Sequence, residues 1–225
     1  MRFFTRLPGF CIVMLLLPMM AWSQEQVDWD SLDDPDKSLR DINEGELTFL
    51  EKKPDKPIYH HQTKLVVLPD SVRTGWVKLV QCHENMDKFP KVQIVYHKDS
   101  IRKLELISWR NMGDARVEGP TIQLTDIRQD ARVCVKAESR ALISQPDGSF
   151  IIQNGPFMRK FLDGYFPMWV TMDVRLPHNL VFTGIEPLEQ KGLKVTKSVH
   201  GIRFDAWFEG RLITRIKLKQ RAGTE

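Results

Sequence analysis

The chain has 225 residues, of which 33 are Lys or Arg and 29 are Asp or Glu, so its formal net charge is +4 at pH 7. This length is enough for one large domain or two small domains, each with a sizeable core. The weak net charge does not favour a nucleic-acid-binding protein, and 13 glycines with 13 prolines exclude a low-complexity chain.

Residues 1–23 have the pattern of a secretory signal peptide. Arg2 and Arg6 form a basic start, an apolar run covers 10–17, and 21–23 supplies the small residues that a signal peptidase recognises. An uncleaved anchor is the alternative, although the apolar run is shorter than the roughly 20 residues that cross a bilayer. We predict a periplasmic or secreted protein that keeps no membrane span after cleavage.

Residues 24–44 are acidic and contain few apolar side chains, which predicts a flexible arm. Between 24 and 56 there are eleven acidic and five basic residues, a charge of −6, whereas the rest of the chain after the leader carries +8. The arm could lie across a basic surface of the body, but screening over about 8 Å weakens such a contact when it is exposed.

Strand-like runs recur about every ten residues after the arm, separated by turn signals. This spacing predicts an all-β fold of antiparallel, sandwich-like sheets. We expect a first β region over 45–148, a second over 149–219 and a short tail over 220–225. The two regions would form either two small domains or one extended domain.

Cys82 and Cys134 are the two cysteines outside the leader, since Cys11 lies within the apolar run. In an exported protein we expect them to form a disulfide, with a free thiol or a metal ligand as the alternatives. Strand alternation places Cys134 with Arg132 and Lys136 on a polar face. The bridge therefore links neighbouring strands near the surface, or a second layer covers that face, or a bulge changes the strand register.

The second region contains our one helix prediction, near 156–163. Pro156 suits a first helical turn, Gly164 suits a C-terminal cap, and the apolar residues between them repeat at helical spacing. Later in the chain, 201–208 and 211–219 read as two strands that meet at a turn, which predicts a hairpin.

The last predicted strand carries cations on one face. These are Arg211, Arg215, Lys217 and Lys219. They could bind an anionic partner, because clustered positive charge attracts acidic surfaces. The alternative is protective, since edge strands often carry Lys and Arg to prevent edge-to-edge pairing.

Trp169 and Trp207 are the aromatic candidates for partner binding. Trp207 has the opposite strand parity to its apolar neighbours, which favours exposure. The alternative is that both indoles belong to the core of a two-layer protein.

Metal binding and hydrolysis are the alternative functions. The six histidines are His60, His61, His83, His97, His178 and His200. Because His60 and His61 are adjacent in a strand, they point to opposite faces, and we assign no metal site. We also find no nucleophile motif, so we predict no catalytic residue and no cofactor.

The sequence thus favours a non-enzymatic envelope protein that binds a protein or an anionic envelope component. The binding residues would be the four cations or the two tryptophans. Periplasmic copper or zinc handling is the first alternative and hydrolase activity the second. The sequence does not determine the oligomeric state.

Overall fold

The computed structural model describes residues 45–161 and 164–221, and strands dominate both ranges. The predicted signal peptide over 1–23 and the predicted acidic arm over 24–44 lie outside the described residues. Helices are short in the described part: α1 covers Ser71–Thr74, and one 3-10 turn covers Lys98–Ser100. No helix in these ranges has both the length and the apolar character needed to cross a membrane.

The all-β prediction is confirmed. The strands of the described ranges are, in chain order, β1 (Thr48–Phe49), β2 (His60–Val66), β3 (Val77–Glu84), β4 (Lys91–Val95), β5 (Ile101–Arg110), β6 (Asp114–Glu118), β7 (Thr121–Thr125), β8 (Arg132–Ser139), β9 (Leu142–Ser144), β10 (Phe150–Phe157), β11 (Lys160–Phe161), β12 (Gly164–Tyr165), β13 (Met168–Arg175), β14 (Leu180–Glu186), β15 (Leu193–Ser198), β16 (Gly201–Glu209) and β17 (Leu212–Gln220).

Eight of these strands form one large sheet, with the order β1-β16-β13-β2-β3-β8-β5 and with β15 also paired to β16. Strands from both sides of residue 148 therefore belong to the same sheet. Its pairs are antiparallel except β2 with β13, which are parallel. A parallel pair needs a long connection rather than a tight turn, and more than a hundred residues separate these two strands.

Two smaller sheets pack against the inner face of the large sheet. The four-stranded sheet has the order β14-β17-β10-β9, and the three-stranded sheet has the order β4-β7-β6. Each contributes side chains to its own hydrophobic cluster, together with residues of the large sheet. Tyr59, Tyr96 and Leu104 pack against both clusters and mark the seam between the two smaller sheets. The arrangement is a sandwich, because apolar faces of separate sheets enclose the core.

The disulfide prediction is confirmed, with the first of its three possible arrangements. Cys82 on β3 and Cys134 on β8 are directly opposite in an antiparallel pair, and their Cα atoms are 4.1 Å apart. Their side chains share the outer face of the large sheet with Arg132. The bridge therefore joins neighbouring strands of one sheet.

The helix prediction over 156–163 is wrong for the described residues. β10 extends to Phe157, and β11 then pairs with β12. A helix would place Phe157 and Met158 on one face, but Phe157 is buried and Met158 is 42% exposed. Their opposite orientations are those of an extended chain.

The hairpin prediction for the last two strands is also wrong. β16 belongs to the large sheet and β17 to the four-stranded sheet, and Gly210 connects them. A Cβ atom at Gly210 would lie 1.9 Å from the backbone oxygen of Glu46, so this crossing requires glycine. Both strands alternate apolar and polar residues because each lines one side of the same core.

Candidate partner-binding face

The outer face of β17 displays the predicted cations. Arg215, Lys217 and Lys219 are exposed, whereas Ile216 and Leu218 between them are fully buried. Arg211 is exposed directly before the strand. We call Arg211, Arg215, Lys217 and Lys219 the basic face.

β17 is an interior strand of its sheet, not an edge strand. It pairs with β10 on one side and with β14 on the other. Protection of an exposed edge therefore does not explain its cations. The strand pairing also fixes the direction of each side chain, because both neighbours constrain the backbone.

One carboxylate balances part of the basic face. Glu186 on β14 accepts a hydrogen bond from Lys217 and lies 3.9 Å from Arg215 Nη1. The hydrogen bond from Lys217, with the nearby charge of Arg215, holds the pKa of Glu186 below its ordinary value. Arg215 Nε also donates to Gln153 Oε1 at 3.2 Å. Within the described ranges, Lys219 and Arg211 have no carboxylate at ion-pair distance.

A depression of about 400 Å³ lies at one end of the basic face. It is lined by Lys217, Lys219, Ile151 and Thr183, together with the turn at 145–149. Cations, hydroxyl groups, an aliphatic side chain and the carboxylate of Asp147 meet there. Such a mixed lining is found at polar protein interfaces. The turn itself is held by Asp147, whose pKa is lowered by hydrogen bonds from Ser149 and also by the charge of Lys219.

Trp169 and Trp207 lie elsewhere, on the outer face of the large sheet. They are opposite each other on β13 and β16, both are half-buried, and their rings stack at 5.6 Å. His60 stacks on Trp169 at 3.5 Å, and the ammonium of Lys53 lies 4.2 Å from the same ring. The structure thus joins the two tryptophans to each other but not to the basic face.

The neighbouring His60 does not form a nucleophile pair with a hydroxyl group. His60 Nε2 lies 2.9 Å from Thr171 Oγ1, and the Thr171 hydroxyl donates to Asp205 Oδ1 at 2.6 Å. Since Thr171 gives its one proton to Asp205, its oxygen must accept from His60. This is the reverse of the proton transfer that an activated nucleophile needs.

His61 and His83 lie on the inner face of the large sheet, in a polar cluster at the seam. Gln81 connects them, with its amide nitrogen 2.9 Å from His61 Nε2 and its oxygen 3.3 Å from His83 Nε2. Tyr59 hydrogen-bonds His83 Nδ1, and the Tyr96 hydroxyl donates to Gln81. Burial lowers the pKa of His83 to about 4 and that of His61 well below its ordinary value, so both are neutral near pH 7.

The other histidines do not extend this cluster. The rings of His178 and His200 lie 5.3 Å apart and are not part of the cluster. His97 lines a cavity beside the cluster, which Gln81 and Tyr96 also line. In the two described ranges, no group of three or more His, Cys, Asp or Glu side chains is placed to hold a metal ion. Sequence reasoning missed the seam cluster because it depends on Gln81 and two tyrosines that carry no motif.

Comparison with known proteins gives no functional assignment. No protein-family model matches this sequence, and no curated protein matches it. The function is therefore inferred from the geometry of the described residues, among which the basic face places a row of cations on one interior strand.

Proposed function

We propose that this is an exported, non-enzymatic envelope protein that binds the anionic surface of a macromolecular partner through the basic face. The observation that carries this proposal is the position of β17. Its cations point outward from an interior strand. Among the described residues, Glu186 is the one carboxylate at ion-pair distance from them, and Asp147 lines the depression together with Lys219.

The spacing of the cations suits a partner with several negative charges. Alternate residues on a strand are about 7 Å apart, so Arg215, Lys217 and Lys219 form a row roughly 14 Å long. Because both neighbouring strands hold the backbone, little conformational entropy is lost when a partner binds. The exposed Ile143 and Ile213 add apolar contact area beside this row.

Export is the second part of the proposal. Disulfides persist in oxidising compartments, and the bridge between Cys82 and Cys134 is consistent with one. The leader-like pattern over 1–23 supports the same compartment.

A charge-reversal experiment tests the binding surface. The variant Lys217→Glu/Lys219→Glu removes the two cations that line the depression. The matched control is Lys64→Glu/Lys78→Glu, which changes the charge equally on exposed positions of the large sheet. Binding of each protein to an immobilised envelope fraction and to phosphatidylglycerol vesicles is measured at about 50 mM and about 300 mM salt. The two salt concentrations differ in screening length.

We expect the β17 variant to retain less than about a tenth of the wild-type binding at low salt, whereas the control retains most of it. Binding to the envelope fraction but not to the vesicles would identify a protein partner. Equal binding by the wild type and both variants would contradict the proposal.

A further inference from the structure

β4 is a free edge of the three-stranded sheet. Among the described strands it pairs with β7 alone. At its two ends, the N–H of Tyr96 donates to Pro120 O and the N–H of Asp126 donates to Pro90 O. Backbone groups of successive residues in an antiparallel strand point to opposite sides. The residues whose N–H and C=O point to the free side are therefore Lys91, Gln93 and Val95.

A groove of about 480 Å³ runs along this edge. One wall is formed by 92–95 of β4, and the opposite wall is formed by residues between Pro156 and Phe161. Tyr59, His83 and Met86 also line it. The unpaired backbone groups of β4 thus lie beside a cavity that could receive an extended chain.

Apolar side chains are unusually exposed in this groove. Phe89 is 40%, Val95 66% and Met158 42% exposed. Exposed apolar groups that adjoin one another mark binding surfaces more often than isolated ones do. An apolar side chain of a bound segment would contact Phe89, Met158 and Phe161.

The groove is preformed by contacts in its walls. Phe89 and Phe161 stack with centroids 5.7 Å apart. Arg159 donates two hydrogen bonds, of 2.6 and 2.9 Å, to Asp87. The hydrogen bond between Tyr59 and His83 fixes two further lining residues. A ligand would therefore meet a surface that needs little reorganisation.

The charge of the rim is positive. Because Arg159 and Asp87 neutralise each other, Lys160 is the remaining charge among the described lining residues. Lys91 lies at the start of β4, next to the lining residue Val92. Neither lysine has a carboxylate at ion-pair distance within 45–161 or 164–221, and Lys160 lies over the ring of Tyr165. The rim therefore favours a ligand that carries Asp or Glu.

We propose that this groove binds an extended acidic peptide segment of a partner protein, which adds to β4 as a fourth strand. Backbone hydrogen bonds to 91, 93 and 95 would give affinity. An aliphatic side chain between Phe89 and Met158, and carboxylates near Lys91 and Lys160, would give specificity. This surface is separate from the basic face, and its occupant is defined by backbone pairing rather than by charge alone.

Defined peptides test the proposal. The probe is a fluorescein-labelled Glu-Val-Asp-Val-Glu-Val-Asp peptide, and binding is followed by fluorescence anisotropy. In the first comparison peptide, Lys replaces each acidic residue. The second keeps the acidic sequence but carries N-methyl groups on alternate backbone nitrogens, so that one edge of the peptide cannot donate hydrogen bonds. We expect saturable binding of the acidic peptide and at least about tenfold weaker binding of both comparison peptides.

Two pairs of variants locate the binding. Gln93→Pro removes a donor from the free edge without removing a hydrogen bond to β7, and Gln93→Ala is its control. Val95→Glu places a negative charge on the rim, and Val199→Glu changes an exposed valine outside the groove. We expect Gln93→Pro and Val95→Glu to weaken peptide binding about tenfold. The controls Gln93→Ala and Val199→Glu should change it less than about twofold. The basic-face variant Lys217→Glu/Lys219→Glu should also change it less than about twofold.

If Gln93→Pro fails to fold, as judged by circular dichroism, the N-methylated peptide and Val95→Glu provide the same information. Absence of saturable binding, or equal binding of the acidic and N-methylated peptides, would overturn the proposal. Self-association of the wild type that Val95→Glu abolishes would assign the edge to a second copy of the chain instead.

Discussion

The outer faces of the large sheet and of the four-stranded sheet both carry many cations, but they differ in how those cations are arranged. On the large sheet, carboxylates on the same or adjacent strands meet five of the cations, whereas Lys64, Lys78 and Lys194 have no carboxylate at ion-pair distance among the described residues. The pairs are Arg132 with Glu84, Lys136 with Glu105, Arg203 with Asp205, and Arg102 and Lys103 with Glu138. On the four-stranded sheet, Glu186 forms ion pairs with both Arg215 and Lys217. Some cations therefore stay uncompensated on both faces, and the basic face is distinguished by cations that stand in one row on a strand paired on both sides.

The stability of the large sheet should depend strongly on its disulfide. The four-stranded sheet contains no cysteine. Replacing both Cys82 and Cys134 by Ser should lower the free energy of unfolding by about 4 kcal/mol in the chain-entropy model, because the bridge closes a loop of about 50 residues. Urea unfolding of the oxidised wild type and the double variant measures this loss. An unchanged midpoint would show that strand pairing alone holds this face.

Both faces of the large sheet should respond to acid, because burial lowers the pKa of His83 on the inner face and that of His60 on the outer face, each to about 4. The pKa of His83 is lowered by burial to about 4, so the folded protein keeps this ring neutral while the unfolded chain is protonated below about 6.5. Stability should therefore fall as the pH decreases from about 6.5 to about 4. For one group the loss is on the order of 3 kcal/mol.

Unfolding by urea across this pH range measures the effect. His83→Gln removes one titrating group at the seam and should flatten the pH dependence. His178→Gln, which replaces a histidine outside the seam cluster, is the matched control. Parallel curves for the wild type and His83→Gln would contradict the assignment of acid sensitivity to the seam.

Removal of one shared carboxylate from each outer face should sharpen the contrast between them. Glu186→Gln frees Arg215 and Lys217, and Glu138→Gln frees Arg102 and Lys103. We expect the first variant to strengthen binding of the anionic partner about two- to threefold and the second to have little effect. Equal gains in binding would indicate general attraction by positive charge instead of a defined face.

The features that follow from local alternation were predictable from sequence. Ile216 and Leu218 face inward and Lys217 and Lys219 face outward because successive residues of a strand point to opposite sides. The disulfide was also predictable, because the expected removal of the leader would leave one pair of cysteines. The position of the disulfide between neighbouring strands was not predictable, because it depends on the pairing of β3 with β8.

The features that depend on long-range pairing were not predictable. β16 and β17 have the same alternating pattern whether they form a hairpin or line opposite sides of a core. The apolar residues around Phe157 satisfy a helical spacing and a strand spacing equally well over a short segment. The interior position of β17 and the free edge of β4 are likewise set by partners far away in the chain.

The most direct measurement is the salt dependence of the dissociation constant between the protein and the proposed anionic partner, for the wild type and for Lys217→Glu/Lys219→Glu. We expect the wild-type affinity to fall steeply as salt rises from about 50 to about 300 mM, and the variant to show weak binding with a shallow slope. The same steep slope in both proteins would contradict a role for β17 in binding.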